Sequence, residues 1–402
     1  MIGTDVIGVF MAGVFALMLA WIDGANNAGN SIGTLIGAKA LSLKKALLIA
    51  GLAELLGGVL YGGFVSETIL KRILNPTVFS PSVYGVGLTG SMLITFLLIL
   101  SVTMRKIPFS ITQILIGSLV GFGIGYTGGG AVNFPLVSTL LVLWMLLPII
   151  GMLVGAVSFK LYELVVNSKR AWTVYFLVFF YYNLFIISSV LLLLPSHFSF
   201  FSRAVIFVLT LSVLNVVPVL AMYKTVKNRR ARTLDSGRIF PSEALAISSG
   251  MMAFTHGAHD VANAAGPLAG AIAAFSTNTL SEEGLSVSPF LLLLCSGGIS
   301  AGVLTWGLRV ARTIGENITV LNNDSAFMAN FSASITMLFI TRMGLPTSMT
   351  GLVIGSIAGV GLARGVGSVN LKLIARIFSY WYIGFTIALF SGIFMGLMLT
   401  IL

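Results

Sequence analysis

Apolar runs recur along this chain near residues 6–22, 46–65, 84–104, 108–125, 134–158, 172–194 and 204–222, and again near 243–258, 288–308, 326–340, 346–363 and 377–401. Runs of about 20 residues match the length of helix that crosses the hydrocarbon of a bilayer. None alternates apolar with polar positions as a barrel strand does, and a lone open strand would leave backbone groups unsatisfied in lipid. The pattern predicts an all-α, polytopic membrane protein of about twelve transmembrane helices. One polar stretch interrupts it. Residues 223–242 read YKTVKNRRARTLDSGRIFPS, with Lys224, Lys227, Arg229, Arg230, Arg232 and Arg238 against the single acid Asp235. The positive-inside rule places this loop in the cytoplasm.

The runs fall into two related sets. DGANNAGNSIGTLIG at 23–37 aligns without gaps on HGAHDVANAAGPLAG at 256–270, pairing Gly24 with Gly257, Ala25 with Ala258, Asn30 with Asn263, Gly33 with Gly266 and Gly37 with Gly270. PFSITQILIGSLVGFG at 108–123 aligns in the same way on PTSMTGLVIGSIAGVG at 346–361. Shared apolar composition explains a matched Leu or Ile, but not matched Pro, Ser, Thr, Asn and Gly in one order, so the chain is a duplication. Lys39, Lys44 and Lys45 follow the first block, whereas Glu282 and Glu283, with no base, follow its second copy at 276–288. Opposite flanking charges predict inverted repeats with discontinuous or re-entrant helices. The expected organisation is a first repeat at 1–163, two linking helices and the basic loop at 164–242, and a second repeat at 243–402. Both termini are then expected outside a cell membrane.

Composition sharpens this picture. Hydrophobic residues make up 57% of the chain and charged ones 9%, where a soluble domain carries roughly a quarter charged. The net charge of +11 arises in short gaps between apolar runs, so it reads as a topology signal and not as a nucleic-acid surface. The lone Cys295 forms neither an intrachain disulfide nor a thiolate cluster. Asp5 ahead of the first run, with no basic flank, fits a retained helix better than a cleaved signal.

Within the first blocks, apolar helix gives way to Asp23, Asn26, Asn27 and Asn30, and to His256, His259, Asp260 and Asn263. Hydrocarbon does not tolerate such clusters, so they face protein or water. The small residues among them permit a helix break, whose free N–H end attracts anions and free carbonyl end cations; the competing reading is a kink with polar glue between helices. In the second blocks, Pro108 and Pro346 suit a first helical turn. Ser110, Thr112 and Gln113, and Ser348 and Thr350, then lie beside positive helix ends, where neutral donors hold an oxyanion without trapping it. Back-bonding to their own helix is the alternative for these hydroxyls. Glu54 lies mid-span without an acidic counterpart, as consistent with packing or tuning as with transport. His197 lies in a loop and is expected to do nothing chemical. Trp172, Tyr181, Tyr182, Tyr380, Trp381 and Tyr382 read as an interfacial aromatic belt. No HExxH or G-x-x-x-x-G-K-[ST] pattern occurs, and the two G-x-S-x-G matches, at 29–33 and 298–302, lie in a chain read as all-helical and not on the strand-to-helix turn that motif requires, so no enzyme is predicted.

At GAHDVANA (257–264), and more distantly at GANNAGNS (24–31), the chain resembles the inorganic phosphate transporter family, which carries a duplicated GANDVANA-like signature. The resemblance extends over both P-x-S-x-T blocks and the central loop. Asn27 stands where the family has Asp, Gly29 where it has Ala, and His259 where it has Asn. The resemblance implies cation-coupled phosphate uptake through inverted repeats, driven in bacterial members by sodium or protons. The combined expectation is sodium/phosphate symport with no cofactor beyond the co-transported ions. Ser110, Thr112, Gln113, Ser348, Thr350, Asn26 and Asn263 would hold phosphate, and Asp23, Asn27, Asn30 and Asp260 sodium, whose hard-cation chemistry suits oxygen ligands. His256 and His259, with Glu54, are the candidates for protons or tuning. A channel would want a continuous polar pore, and a membrane enzyme a nucleophile with its base or a carboxylate pair such as Asp23 and Asp260. The sequence leaves a monomer and a homo-oligomer both open.

Overall fold

The structure, a computed structural model, describes residues 2–38, 41–166, 171–193, 205, 242–277, 280–281, 284–311, 321–365 and 369–401. Lys39, His197, the span near 204–222 apart from residue 205, almost all of the basic loop, Glu282, Glu283 and the side chain of Trp172 lie outside the described residues. The helices are α1 (Ile2–Gly37), α2 (Leu43–Tyr61), α3 (Gly63–Lys71), α4 (Pro81–Met104), α5 (Ile111–Thr127), α6 (Phe134–Val166), α7 (Ala171–Leu193), α8 (Ser242–Asp260), α9 (Ala262–Ser276), α10 (Pro289–Trp306), α11 (Asn323–Arg342), α12 (Met349–Arg364) and α13 (Leu371–Ile401). Local chemistry sets several starts. Pro81 and Pro289 occupy first turns, Ser288 caps α10 through Leu291 N, and Asn322 with Ser325 forms a reciprocal capping box on α11.

The side chains are sorted as in a protein solvated by lipid. On α2, Leu48, Leu52, Leu56 and Leu60 project outward at helical spacing, each more than half exposed, while Ala50, Glu54, Gly57, Gly58 and Tyr61 are buried. Large apolar groups thus face the bilayer, and small or polar groups face other helices. Among the described residues, five helices are long and apolar enough to span by themselves, and α2 with α3, bent by 60°, makes a sixth.

The duplication predicted from sequence organises the packing. The helix pair α5·α13 has its counterpart in α12·α6, α1·α10 in α8·α2, and α1·α4 in α8·α11. Glycines repeat the correspondence at atomic detail. A methyl on Gly24 would collide with the carbonyl of Ile299 and one on Gly257 with that of Glu54; one on Gly57 would strike Phe254 O and one on Gly302 Trp21 O. The repeats are inverted. Along α1, Gly8 abuts Phe275, Asp23 bonds Asn263, and Asn27 bonds Asp260, so α1 runs antiparallel to its counterpart α8–α9.

Four of the expected crossings are limbs of two re-entrant hairpins. Gly85 shares the Phe275 ring with Gly8, and Thr103 is bonded to Asn26, so α4 runs parallel to α1 and ends level with Asn26. From there α1 continues to Gly37, about 16 Å further at 1.5 Å per residue. The α5 limb returns to the starting face, where Asn75 N bonds Ala131 O and Asn133 N bonds Ile73 O. The α11–α12 hairpin enters from the opposite face, its tip level with His259 and its roots joined by Arg364 to Ser325. The tips share one backbone device: Lys106 and Gly344 both adopt left-handed conformations, at φ 61 and 69. Arg105 and Arg342 therefore belong to hairpin tips, not membrane-surface loops, which is why their charges carry no topology signal.

One expectation needs correcting. The first polar block contains no break, because α1 stays helical through Asp23, Asn26, Asn27 and Asn30 to Gly37. Its second copy is interrupted only at Val261, whose N–H still reaches Gly257 O. Side chains supply the polar groups there, and the exposed helix ends come from α5 and α12.

Candidate functional site

The antiparallel crossing of α1 with α8–α9 places both copies of the polar block against each other, fully buried. Asn27 is the hub. Its Nδ2 donates to Asp23 Oδ1 and to Asp260 Oδ2, both at 2.9 Å. Its Oδ1 accepts from Thr350 Oγ1 at 3.1 Å and from Asn30 Nδ2 at 3.3 Å. Asn263 donates to the other oxygen of Asp23 at 2.9 Å. Asn30 also reaches Thr350 Oγ1 at 3.1 Å, and Phe109 O lies 3.3 Å from the same hydroxyl, so the lead-in to α5 and the first turn of α12 meet at this cluster. Where the resembled family has Asp, this chain has Asn27, and Asp23 one helical turn earlier supplies a carboxylate on the same helix face.

Glu54 joins from α2. Its Oε1 accepts from Ser31 at 2.8 Å and lies 3.1 Å from His256 Nδ1, while His256 Nε2 lies 3.1 Å from Asp260 Oδ2. Neither contact has the alignment of a hydrogen bond. Asp23, His256 and Asp260 can each direct a ligand atom to one point, these atoms lying within 4.8 Å of one another. Asp260 Oδ1, Glu54 Oε2 and Asn30 Oδ1 are buried acceptors without a donor among the described residues. An unmatched buried acceptor costs about 1–3 kcal/mol, more when charged, so such a set suits a bound cation.

The structure brings Asp23, Asn27, Asn30, Asp260, Asn263, Thr350, His256 and Glu54 together. Asn26 does a different job. Its amide donates to Thr103 Oγ1 at 2.8 Å and Ile107 O at 3.1 Å and accepts from Phe109 N at 3.0 Å, which fixes the lead-in to α5. His259 repeats this in the second half, with Nδ1 3.0 Å from Thr341 Oγ1 and Nε2 accepting from Thr347 N at 3.0 Å. A backbone N–H can only donate, so Nε2 is the acceptor and Nδ1 carries the proton, leaving Thr347 O at 3.3 Å as a contact. His259 thus stands in for Asn as a brace, and its proton is tied to that role.

Ser110 and Ser348 sit at the N-caps of α5 and α12. Ser348 Oγ accepts from Gly351 N at 3.2 Å, whereas Ser110 Oγ is buried without a partner among the described residues. Thr112 is buried in the first turn of α5. Gln113 faces elsewhere, lining an apolar cavity with Trp144, Pro148, Trp381 and Phe385. Sequence reasoning missed four residues. Trp144 Nε1 donates to Pro346 O and Trp381 Nε1 to Pro108 O, both at 3.2 Å, so α6 and α13 each grip the other half's hairpin. Trp381 is buried and leaves the expected belt, whereas Tyr380 and Tyr382 are exposed. Thr103 and Thr341 brace the tips. Carried onward without gaps into α6 and α13, the P-x-S-x-T alignment sets Trp144 opposite Tyr382, one residue from Trp381, so the sequence signal for this pair was only approximate.

Inverted repeats, re-entrant hairpins and a buried polar cluster at their crossing define a multi-pass membrane transporter. Residues 23–392 match the model of the Phosphate transporter family, and the chain belongs to that family: it is a phosphate-transporting permease and not an enzyme. It is 33% identical over 385 residues to a protein of Thermococcus kodakarensis named "Putative phosphate permease", covering 94% of each chain. It is 30% identical over 404 residues to the "Inorganic phosphate transporter 2-1, chloroplastic" of Arabidopsis thaliana, covering 92% of this chain and 68% of that one. A solved structure named "The sodium-dependent phosphate transporter" superposes with a TM-score of 0.89 at 29% identity, over 98% of this chain and 100% of that one.

Proposed function

We propose that this chain imports phosphate together with sodium by alternating access, in the cell membrane, with both termini outside. Residues 1–163 and 243–402 act as the two transport repeats and 164–242 as their link. The observation that carries this reading is the Asn27 hub, which joins two buried carboxylates to the first turn of α12 at Thr350. Cation-seeking oxygens and an anion-seeking helix end thus adjoin. Sodium would be held by Asp23 and Asp260 with Asn27, Asn30 and the free oxygen of Glu54. Phosphate would be held by Ser110, Thr112, Ser348 and Thr350 at the α5 and α12 starts, where helix N–H groups favour an oxyanion. Gln113 and Asn26 are left out of the phosphate site and Asn263 serves Asp23. The sodium-dependent name of the superposed structure supports the choice of ion. His256, between Glu54 and Asp260, favours a second reading in which protons are the coupling ion.

Charge supports cation coupling. Each negative charge entering a negative-inside cell costs about 2.3 kcal/mol per 100 mV, so a phosphate dianion faces about 4.6 kcal/mol. Two sodium ions neutralise the dianion, and the carboxylates make cation binding a precondition for the anion. Phosphate binding to the detergent-solubilised protein is therefore expected to tighten with sodium with a Hill slope of about 2, and Asp23→Asn or Asp260→Asn to flatten that slope. Equal phosphate affinity in sodium-free buffer would contradict the coupled site.

A further inference from the structure

The tip of the α11–α12 hairpin opens on the face where α3 ends, into a cavity of about 240 Å³ lined by Phe64, Glu67, Thr68, Lys71, Arg72, Arg342, Met343 and Gly344. Arg342 lies over the Phe64 ring at 4.5 Å, which orients its guanidinium while leaving its N–H groups free of any carboxylate. No carboxylate lies within 4.0 Å of Lys71, Arg72 or Arg342 among the described residues. Glu67 is the acid on the wall, so three bases against one acid give the cavity a net charge of +2. Unpaired bases gathered around one concavity focus a positive potential in it.

The cavity connects to the transport site through the chain itself. Gly344 takes its left-handed turn close against Phe64 O and Thr68 Oγ1, and Ser348, the N-cap of α12, follows four residues later.

We infer that Lys71, Arg72 and Arg342 form an oxyanion-capture site that receives phosphate at one mouth before it passes to the α12 start. The inference rests on the phosphate-binding role proposed for that helix. Arg72 and Arg342 are exposed and Lys71 is half-buried, so they attract a dianion while water keeps the hold weak enough for release. The same chemistry fits the phosphate of an anionic lipid headgroup, and the test separates the two sources.

Phosphate uptake is measured in phosphatidylcholine vesicles at fixed saturating sodium. Arg342→Gln, and Lys71→Gln with Arg72→Gln, are expected to raise KM about three- to tenfold at low ionic strength, with the maximal rate changed less than about twofold. Arg342→Lys retains the wild-type KM, and added salt narrows the gap between variant and wild type as it screens the site. In Arg342→Cys, an impermeant cationic thiol reagent restores the low KM and an anionic one raises it further; Cys295 is buried and stays silent. An unchanged KM, or a shift indifferent to salt and to the sign of the label, overturns the inference. An effect confined to vesicles containing phosphatidylglycerol assigns the site to lipid and also overturns it. The sodium dependence of the unmodified protein, read in the same vesicles, reports separately on the sodium-coupled reading.

Discussion

Asn27→Asp is expected to lower phosphate uptake about 100-fold or more at ordinary sodium, a loss equivalent to about 2.7 kcal/mol. The wild-type amide donates to Asp23 and Asp260 at 2.9 Å, and hydrogen bonds to charged acceptors contribute about 1.5–3 kcal/mol each. Aspartate removes both donors and sets a third charge between two others in a buried site. Sodium is expected to oppose the damage. Raising its concentration should lift the melting temperature of Asn27→Asp more than that of wild type, because a ligand stabilises in proportion to its occupancy of the folded state. A melting temperature equal to that of wild type and indifferent to sodium would mean that Asn27 is not the hub of a cation site.

Gly24→Ala and Gly257→Ala should each destabilise the protein by about 3 kcal/mol, the upper end of ordinary overpacking. In each case the added methyl meets a backbone carbonyl of the facing helix, Ile299 O or Glu54 O, with no flexible side chain to move aside. Relief requires α1 to part from α10, or α8 from α2. The second separation would also draw Glu54 away from His256, so Gly257→Ala should weaken sodium dependence as well as stability. Gly13→Ala is the control, since nothing lies within 4 Å of the added carbon. Thermal unfolding of the three purified variants checks this, and a Gly24→Ala melting curve matching that of Gly13→Ala would contradict the close packing.

Much of this was legible in the chain. The apolar runs, the two paired blocks and their opposite flanking charges led to inverted repeats; Asp23, Asn27, Asn30 and Asp260 were singled out because hydrocarbon does not tolerate such a cluster, and Thr350 because it repeats Thr112 in the first turn of a helix. Three things were hidden for physical reasons. Run length does not distinguish a crossing from the limb of a hairpin, since α4 is as apolar as a full span yet stops level with Asn26. Glu54 looked unpaired because its partner His256 lies 202 residues away by sequence (256 − 54) and in the other repeat. The distinct roles of Asn26 and Asn27, adjacent in one motif, depend on which helix each side chain meets, and helical neighbours point about 100° apart. His259 illustrates the same limit: its residue type suggested proton chemistry, whereas its partners, Thr341 and Thr347 N, match those of Asn26.

The central claim, that sodium drives phosphate through this protein, is tested most directly by labelled phosphate uptake into vesicles of the purified protein, with gradients of sodium, potassium and protons imposed one at a time. Accumulation above the external concentration is expected with the sodium gradient alone, to be lost in Asp260→Asn, and to exchange with unlabelled phosphate as a carrier requires. Accumulation that follows only the proton gradient would contradict sodium coupling and assign the coupling ion to the Glu54, His256 and Asp260 contact instead.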